Sequence, residues 1–209
     1  MRLRSRIALP LLALAALLTL LLAAIITGSS GRSPSSGASS SATAASGFDG
    51  AALPANIPPH EFTLADQGGR PVSLSHLRGE VTILAFLYSS CGATCILIAQ
   101  QIRGALDELA HPVPVLFVSA NPAADTPAPV NRFLARVSLT GRVRYLTGSP
   151  AALQPVWHAY GVVPATSGRA AFDRSAAVVV LDRSGRERVV FGLEQLTPEG
   201  LAHDVRKLS

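Results

Sequence analysis

The sequence predicts an α/β fold in which helices pack on a mixed central sheet, and three observations carry that expectation. Continuous apolar runs, the mark of strands buried on both faces, alternate with segments of helical periodicity. The last third of the chain then turns to a hairpin and a final helix, so parallel and antiparallel pairing must coexist in one sheet. The only two cysteines, Cys91 and Cys95, fall between the first buried run and the first helix, where open α/β sheets place their reactive groups.

The elements follow in order. The segment "EFTLADQGGRPVSL" from Glu61 reads as two short strands joined at a Gly-Gly turn. "VTILAFLY" (81–88) is the first buried strand. Ile98, Ile102, Leu106 and Leu109 recur at helical spacing and predict a helix over 92–110. "VPVLFVSA" (113–120) is the next strand. Thr126 can cap a helix whose first turn accepts Pro127, giving a second helix over 127–137. "RVRYLTG" is a strand, and "SPAALQPVWHAYGV" a third helix ending at Gly161. Residues 176–191 form two strands about a turn at 182–185, and Thr197 with Pro198 opens the terminal helix.

Ahead of the domain lie two segments of other character. Arg2, Arg4 and Arg6 precede an apolar run over 7–27. Basic before apolar keeps the N-terminus inside and exports the rest. A run of this length is close to the ~20 residues that span a bilayer, so 1–27 is expected to be an uncleaved signal anchor. The alternative is a cleaved signal peptide, since Pro10 interrupts the run and small residues follow at 27–30. Either way the domain is expected on the extracytoplasmic or periplasmic side, where a cysteine pair persists as a disulfide. Residues 28–52 are dominated by Ser, Gly and Ala and bury too little to repay ordering, so they are expected to form a flexible linker. A coil of that composition over 28–50 spans roughly 25 Å. The remaining 53–209 suits a single domain.

The net charge of +5 and isoelectric point near 10.0 do not signal a nucleic-acid binder. Four arginines (2, 4, 6 and 32) and Asp49 precede residue 51, which leaves 14 basic against 12 acidic groups in the exported part. That near balance excludes a polyanion-binding domain. Arg183, Arg186 and Arg188 flank a turn and read as a solvated rim.

The cysteine pair carries the chemistry. At the N-terminus of a helix, unpaired N–H groups and the positive dipole end favour thiolate over thiol. Cys91 is therefore the candidate nucleophile and Cys95 the resolving thiol. Spacing four puts both on one helix face with Cα atoms about 6 Å apart, within bonding reach, and the expectation is an accessible, somewhat strained and hence reducible bond. A purely structural staple is less apt, since closing so short a loop contributes only about 2 kcal/mol. The same thiolates suit Cu(I). Zinc fits less well because a closed site wants four ligands. Met1 is the only methionine, so no thioether completes a copper site.

At this point the chain resembles the SCO/SenC family of membrane-tethered, thioredoxin-like proteins that help assemble the copper centre of cytochrome c oxidase. The resemblance rests on "FTLADQGGRPVSLSHLRGE", "ILAFLYSSCGATC", "LFVSANPAADTPAPV", "YLTGS", "WHAYGV" and "VVVLDRSGRERVVF", all in family order. It implies a thioredoxin-like fold, cysteine copper ligands at Cys91 and Cys95, and a partner that is a cysteine-containing copper-site protein such as a cytochrome c oxidase subunit. The chain also departs from the family. Gly92 and Ile96 replace the prolines of a C-P-x-x-C-P pattern, Asn121 replaces an aspartate, and Arg174 stands where the family places its distal histidine ligand. A guanidinium stays protonated and does not ligate metal. Arg174 is instead expected to favour a nearby thiolate and bias the site toward thiol chemistry. His158 is expected on exposed helix surface, His60, His76 and His111 in loops or turns, and His203 on the last helix; Trp157 and Tyr160 are expected in the core.

Three functions remain open on these residues. The first is an oxidoreductase activity, thiol–disulfide exchange on cysteines of an oxidase copper site. The second is a Cu(I) carrier with two thiolates and a weak or absent third ligand. The third is a scaffold or redox sensor without either activity. Peroxidase chemistry explains less of the chain.

Overall fold

A computed structural model of the chain describes residues 46–209. The expected anchor over 1–27 and the linker up to residue 45 lie outside the described residues. Among those described, no helix is long and apolar enough to cross a membrane.

The strands are β1 (Ala51–Ala52), β2 (Thr63–Ala65), β3 (Pro71–Ser73), β4 (Thr82–Leu87), β5 (Val115–Ser119), β6 (Arg144–Leu146), β7 (Ala177–Leu181) and β8 (Glu187–Gly192). The helices are α1 (Ala93–Glu108), α2 (Pro127–Arg136), α3 (Pro150–Ala159), α4 (Arg169–Ser175) and α5 (Pro198–Leu208). The main sheet has the order β1-β8-β7-β4-β5-β6. Across α1 and α2 the pairing is parallel, β4 to β5 and β5 to β6, whereas the return through α3 and α4 leads to an antiparallel strand. β7 runs antiparallel to β4, and β8 antiparallel to β7. The β2–β3 hairpin is separate and bridges through Ala65 to Thr147 beyond β6. This is the mixed sheet flanked by helices that the sequence predicts.

β4 occupies the centre because every one of its side chains is apolar or, at Thr82, small and buried. Such a strand has no solvent face, so helices must cover it on both sides. α1 turns Cys95, Ile98, Ala99, Ile102 and Ala105 inward. The buried stripe thus begins at a cysteine, while Leu106 and Leu109 are only partly covered. α1 rests on α5, and Gly104 permits the approach: a Cβ there would lie 2.9 Å from the Pro198 ring. Trp157 is buried and donates its indole N–H to the Ser119 carbonyl at 2.8 Å, tying α3 to the end of β5. The predicted turn after β7 forms on Asp182, whose carboxylate accepts from the Ser184 and Arg186 amides.

Two elements were not predicted. α4, "RAAFDRS", is seven residues long, too short to show helical periodicity. β1 lies in the span expected as linker, yet it pairs with β8 through Ala51–Val190 and Ala52–Val189. What holds it is remote in sequence. Asp204, fully buried, accepts from the backbone N–H of Asp49 at 2.9 Å and of Gly50 at 2.9 Å, and from His203 Nδ1 at 2.9 Å. Gly50 is needed there because a Cβ would come within 2.4 Å of Val189.

Asp204→Ala would leave those amides buried and unpaired. We expect a loss of about 2–3 kcal/mol, read by urea unfolding of the full-length chain in detergent. A change below about 0.5 kcal/mol would show that the carboxylate does not hold the segment.

Candidate functional site

The site is built where β4 stops. After Leu87 the chain passes through Tyr88, Ser89 and Ser90, and the Cys91 N–H closes the turn on the Tyr88 carbonyl at 3.1 Å. Gly92 follows with φ 78° and ψ −135°, a left-handed conformation that glycine accepts and proline, fixed near −65°, does not. α1 then begins, with the Ile96 N–H donating to the Gly92 carbonyl at 3.1 Å. Both family prolines are therefore incompatible with this loop. One would need the wrong φ, and the other would remove the bond that closes the first helical turn.

Cys91 and Cys95 form a disulfide with a Cα separation of 5.8 Å. That lies in the commonest range for disulfides, ~5.5–6 Å, so the backbone spacing does not impose the strain that helical spacing alone suggested. The Cys95 N–H points at Cys91 Sγ, 3.1 Å away. A first-turn amide aimed at this sulfur would stabilise its thiolate once the bond is reduced.

The sulfurs are not accessible as expected: Cys91 is 1% and Cys95 0% exposed. α4 packs on the residues that flank Cys91. The Phe172 ring meets the Tyr88 ring edge-on at 5.1 Å, and the Arg169 guanidinium lies over Gly92, where a Cβ would be 3.3 Å from it. These two contacts bracket Cys91. The segment before α4 is pinned to the end of β5 by the Ala165 N–H on the Ala120 carbonyl at 3.0 Å.

Beneath the loop lies Asp125, buried with 2% of its surface exposed. Its carboxylate accepts from the Ser89 N–H at 2.7 Å, the Ser119 hydroxyl at 2.6 Å and the Tyr145 hydroxyl at 2.7 Å. Burial pushes the Tyr145 phenol well above its ordinary range, and the Asp125 charge beside it pushes the same way. Tyr145 therefore remains a donor at any working pH. One side chain thus joins the cysteine loop, the end of β5 and β6. Asn121, at the family's aspartate position, shapes the turn leading to it: its carbonyl accepts from the Ala124 and Asp125 amides. The sequence singled out "DTP" only by resemblance and did not reveal this role. The available signal was an acidic residue closely following a wholly apolar strand.

Arg174 is exposed in the last turn of α4. The guanidinium placed at the cysteine loop is that of Arg169, one helical turn and more earlier, which also reaches Asp173 at 3.6 Å. Nothing in the sequence distinguished the two. The histidines are dispersed: His76, His111 and His158 are exposed, His60 lies 3.5 Å from Glu187, and His203 contacts Asp49 and Asp204. Among the described residues, no histidine or carboxylate joins the two cysteines in a cluster of three ligands. The donor set for a metal here is two sulfurs.

Residues 52–209 match the family described as SCO1/SenC. Of the similar solved structures, apo Sco1 from Thermus thermophilus is 22% identical, covering 78% of this chain and 97% of its own, with a TM-score of 0.63. Bradyrhizobium japonicum ScoI with copper bound is 28% identical over 73% of this chain and 99% of its own, with a TM-score of 0.55. BsSco, described through its disulfide switch as a member of the Sco family of cytochrome c oxidase assembly proteins, is 21% identical over 75% and 96%, with a TM-score of 0.62. No curated protein matches the chain.

Two variants test the geometry. Asp125→Asn should lower stability by about 2–4 kcal/mol, since an amide offers one acceptor oxygen where three donors converge. Near-UV circular dichroism should change with it, and unaltered stability would remove Asp125 as the tie. Gly92→Pro should destabilise the oxidised protein by more than about 2 kcal/mol in thermal unfolding; a neutral result would mean that the loop adopts another conformation.

Proposed function

We propose, from the premise that the chain belongs to the SCO1/SenC family, that it works by thiol–disulfide exchange through Cys91 and Cys95 on a cysteine-containing copper-site protein, such as a cytochrome c oxidase subunit, while tethered through residues 1–27 with its domain outside the cytoplasm. The observation that carries this reading is a bonded cysteine pair at a strand-to-helix junction with a helix amide aimed at the Cys91 sulfur. The reduced protein is the reactant. Cys91 thiolate attacks one sulfur of the partner disulfide, forming a mixed disulfide and releasing the other partner sulfur as thiolate. Cys95 thiolate then attacks Cys91 Sγ, which breaks the mixed disulfide and releases the second partner thiolate. Two electrons pass to the partner and the Cys91–Cys95 bond remains. A dithiol reductant of the same compartment must restore the starting state.

Arg169 supports the reading electrically. Its guanidinium beside Gly92 favours the anionic form of the neighbouring sulfur in each step. At fixed neutral pH, Arg169→Gln should slow alkylation of reduced Cys91 about three- to tenfold. Arg174→Ala, at the exposed position first expected to act, should change it by less than twofold.

A second reading has its own support, because Bradyrhizobium japonicum ScoI, 28% identical, holds copper. Here Cu(I) would be cargo held by the two thiolates alone. The deciding experiment uses the reduced full-length chain in detergent. It pairs exchange with a peptide disulfide and an anaerobic Cu(I) titration against a competing chelator, with Cys91→Ser and Arg174→His beside the wild type. Exchange lost in Cys91→Ser, with weak copper binding, is the expected result. Tight Cu(I) binding that needs both cysteines, without exchange, would replace the first reading by the carrier. Neither activity would leave a scaffold or sensor.

A further inference from the structure

A groove of about 520 Å³ adjoins the cysteine loop on the side of α2, lined by Ser89, Ser90, Ala124, Arg132, Phe133 and Arg136 among others. Ser90 is the immediate neighbour of Cys91, so the groove starts one residue, ~3.8 Å along the chain, from the reactive sulfur's Cα. Two features set it apart from an ordinary surface cleft. First, the Ser89 hydroxyl is buried and has no hydrogen-bond partner, although the same residue's amide is satisfied by Asp125. A buried hydroxyl without a partner is destabilising unless a ligand supplies one. Second, Arg132 and Arg136 stand one helical turn apart on α2, and among the described residues neither is in an ion pair with a carboxylate. Arg144, Arg174, Arg183, Arg186 and Arg206 are likewise outside the ion pairs; what sets Arg132 and Arg136 apart is that both line the groove that holds the unpartnered Ser89 hydroxyl.

Like charges at this spacing repel. The negative end of the helix dipole favours Arg136 in the last turn but gives no reason for Arg132 in the middle. Arg136 is held over the Phe133 ring, 5.7 Å from its centroid, so one guanidinium is preoriented on the groove wall. The exported part of the chain is otherwise close to neutral, with 14 basic and 12 acidic groups from residue 51.

We propose that this groove docks an acidic peptide segment of the exchange partner, with a glutamate or aspartate close in sequence to the partner's reactive cysteine. The segment's carboxylate is recognised by Arg132 and Arg136, and an oxygen of the segment engages the Ser89 hydroxyl. The reading rests on the thiol exchange proposed above. Docking places the partner cysteine beside Cys91, and the charge pair raises the encounter rate more than the final affinity.

The test separates docking from exchange. A fluorescein-labelled decapeptide with two glutamates flanking a serine, in place of cysteine, is titrated into the oxidised full-length chain in detergent and read by anisotropy. Its glutamine counterpart is the control. The glutamate peptide is expected to bind at least about tenfold tighter at low salt. That preference should vanish in Arg132→Gln/Arg136→Gln and in 1 M salt, where charges are screened beyond ~3 Å. Ser89→Ala should weaken binding about threefold without lowering the melting temperature, because the hydroxyl it removes had no partner. Equal binding of the two peptides, or a preference that survives in the double variant, overturns the proposal. So does glutathione binding with the same arginine dependence when the peptide shows none, which would make the groove a small-thiol site. In the exchange arm, cysteine-containing versions of both peptides are used as disulfides. Docking without exchange would sink the thiol-exchange reading and leave the groove standing.

Discussion

The cysteine loop is held from below by one buried carboxylate. Asp125 receives three hydrogen bonds from three separate pieces of backbone architecture, the loop after β4, the end of β5 and β6. A charge taken out of water is tolerated only when its lone pairs are filled, so these three elements are constrained to meet at one point. The parallel β4–β5–β6 unit brings their C-terminal ends to the same edge, and the carboxylate converts that proximity into a fixed geometry. Tyr145, buried and kept protonated by its surroundings, can only donate to it. The loop that carries Cys91 is therefore tied to the sheet at Ser89.

What lies beyond Ser89 is where this chain departs from its family. Gly92 and Arg169 belong together physically. Gly92 combines a positive φ with the lack of a side chain, and the Arg169 guanidinium lies 3.3 Å from where a Cβ would stand. A residue with a Cβ would push against it, and proline would redirect the loop altogether. The contacts on the residues flanking Cys91 are consequently a cation beside Gly92 and the Phe172 ring on Tyr88, and Arg169 and Phe172 are both carried by a helix of seven residues. So short a helix has little stability of its own. It persists through those contacts and through the tie of Ala165 to Ala120.

Much of the fold was legible because it depends on local pattern. The run through Thr82–Leu87 has no polar side to show, and the stripe of α1 repeats at helical spacing. The turn at Asp182 and the Thr-Pro starts at 126 and 197 announce themselves by chemistry. The site was legible in part: two cysteines after a buried strand and before a helix define where the chemistry lies. The remainder was hidden because it depends on pairs distant in sequence. Ala51 and Ala52 have no strand signal, and their hold comes from Asp204, more than 150 residues on. Arg169 and Arg174 share a helix, and only the packing of Phe172 decides which faces Gly92. The burial of both sulfurs is likewise tertiary, and spacing along α1 does not encode it.

The same arrangement bears on the choice between electron transfer and metal transfer. Both require the two sulfurs to become thiolates, and both are favoured by the Cys95 amide and the Arg169 guanidinium. They part at the third donor. A neutral imidazole would bind Cu(I) and add no charge, whereas a guanidinium adds a positive charge and no lone pair. With Arg174 exposed and no histidine clustered with the cysteines among the described residues, the site stabilises anionic sulfur without closing a coordination shell. An attacking thiolate needs the first and is hindered by the second. A guanidinium beside Gly92 and, among the described residues, no third ligand beside the sulfurs together favour anionic sulfur over a closed metal shell.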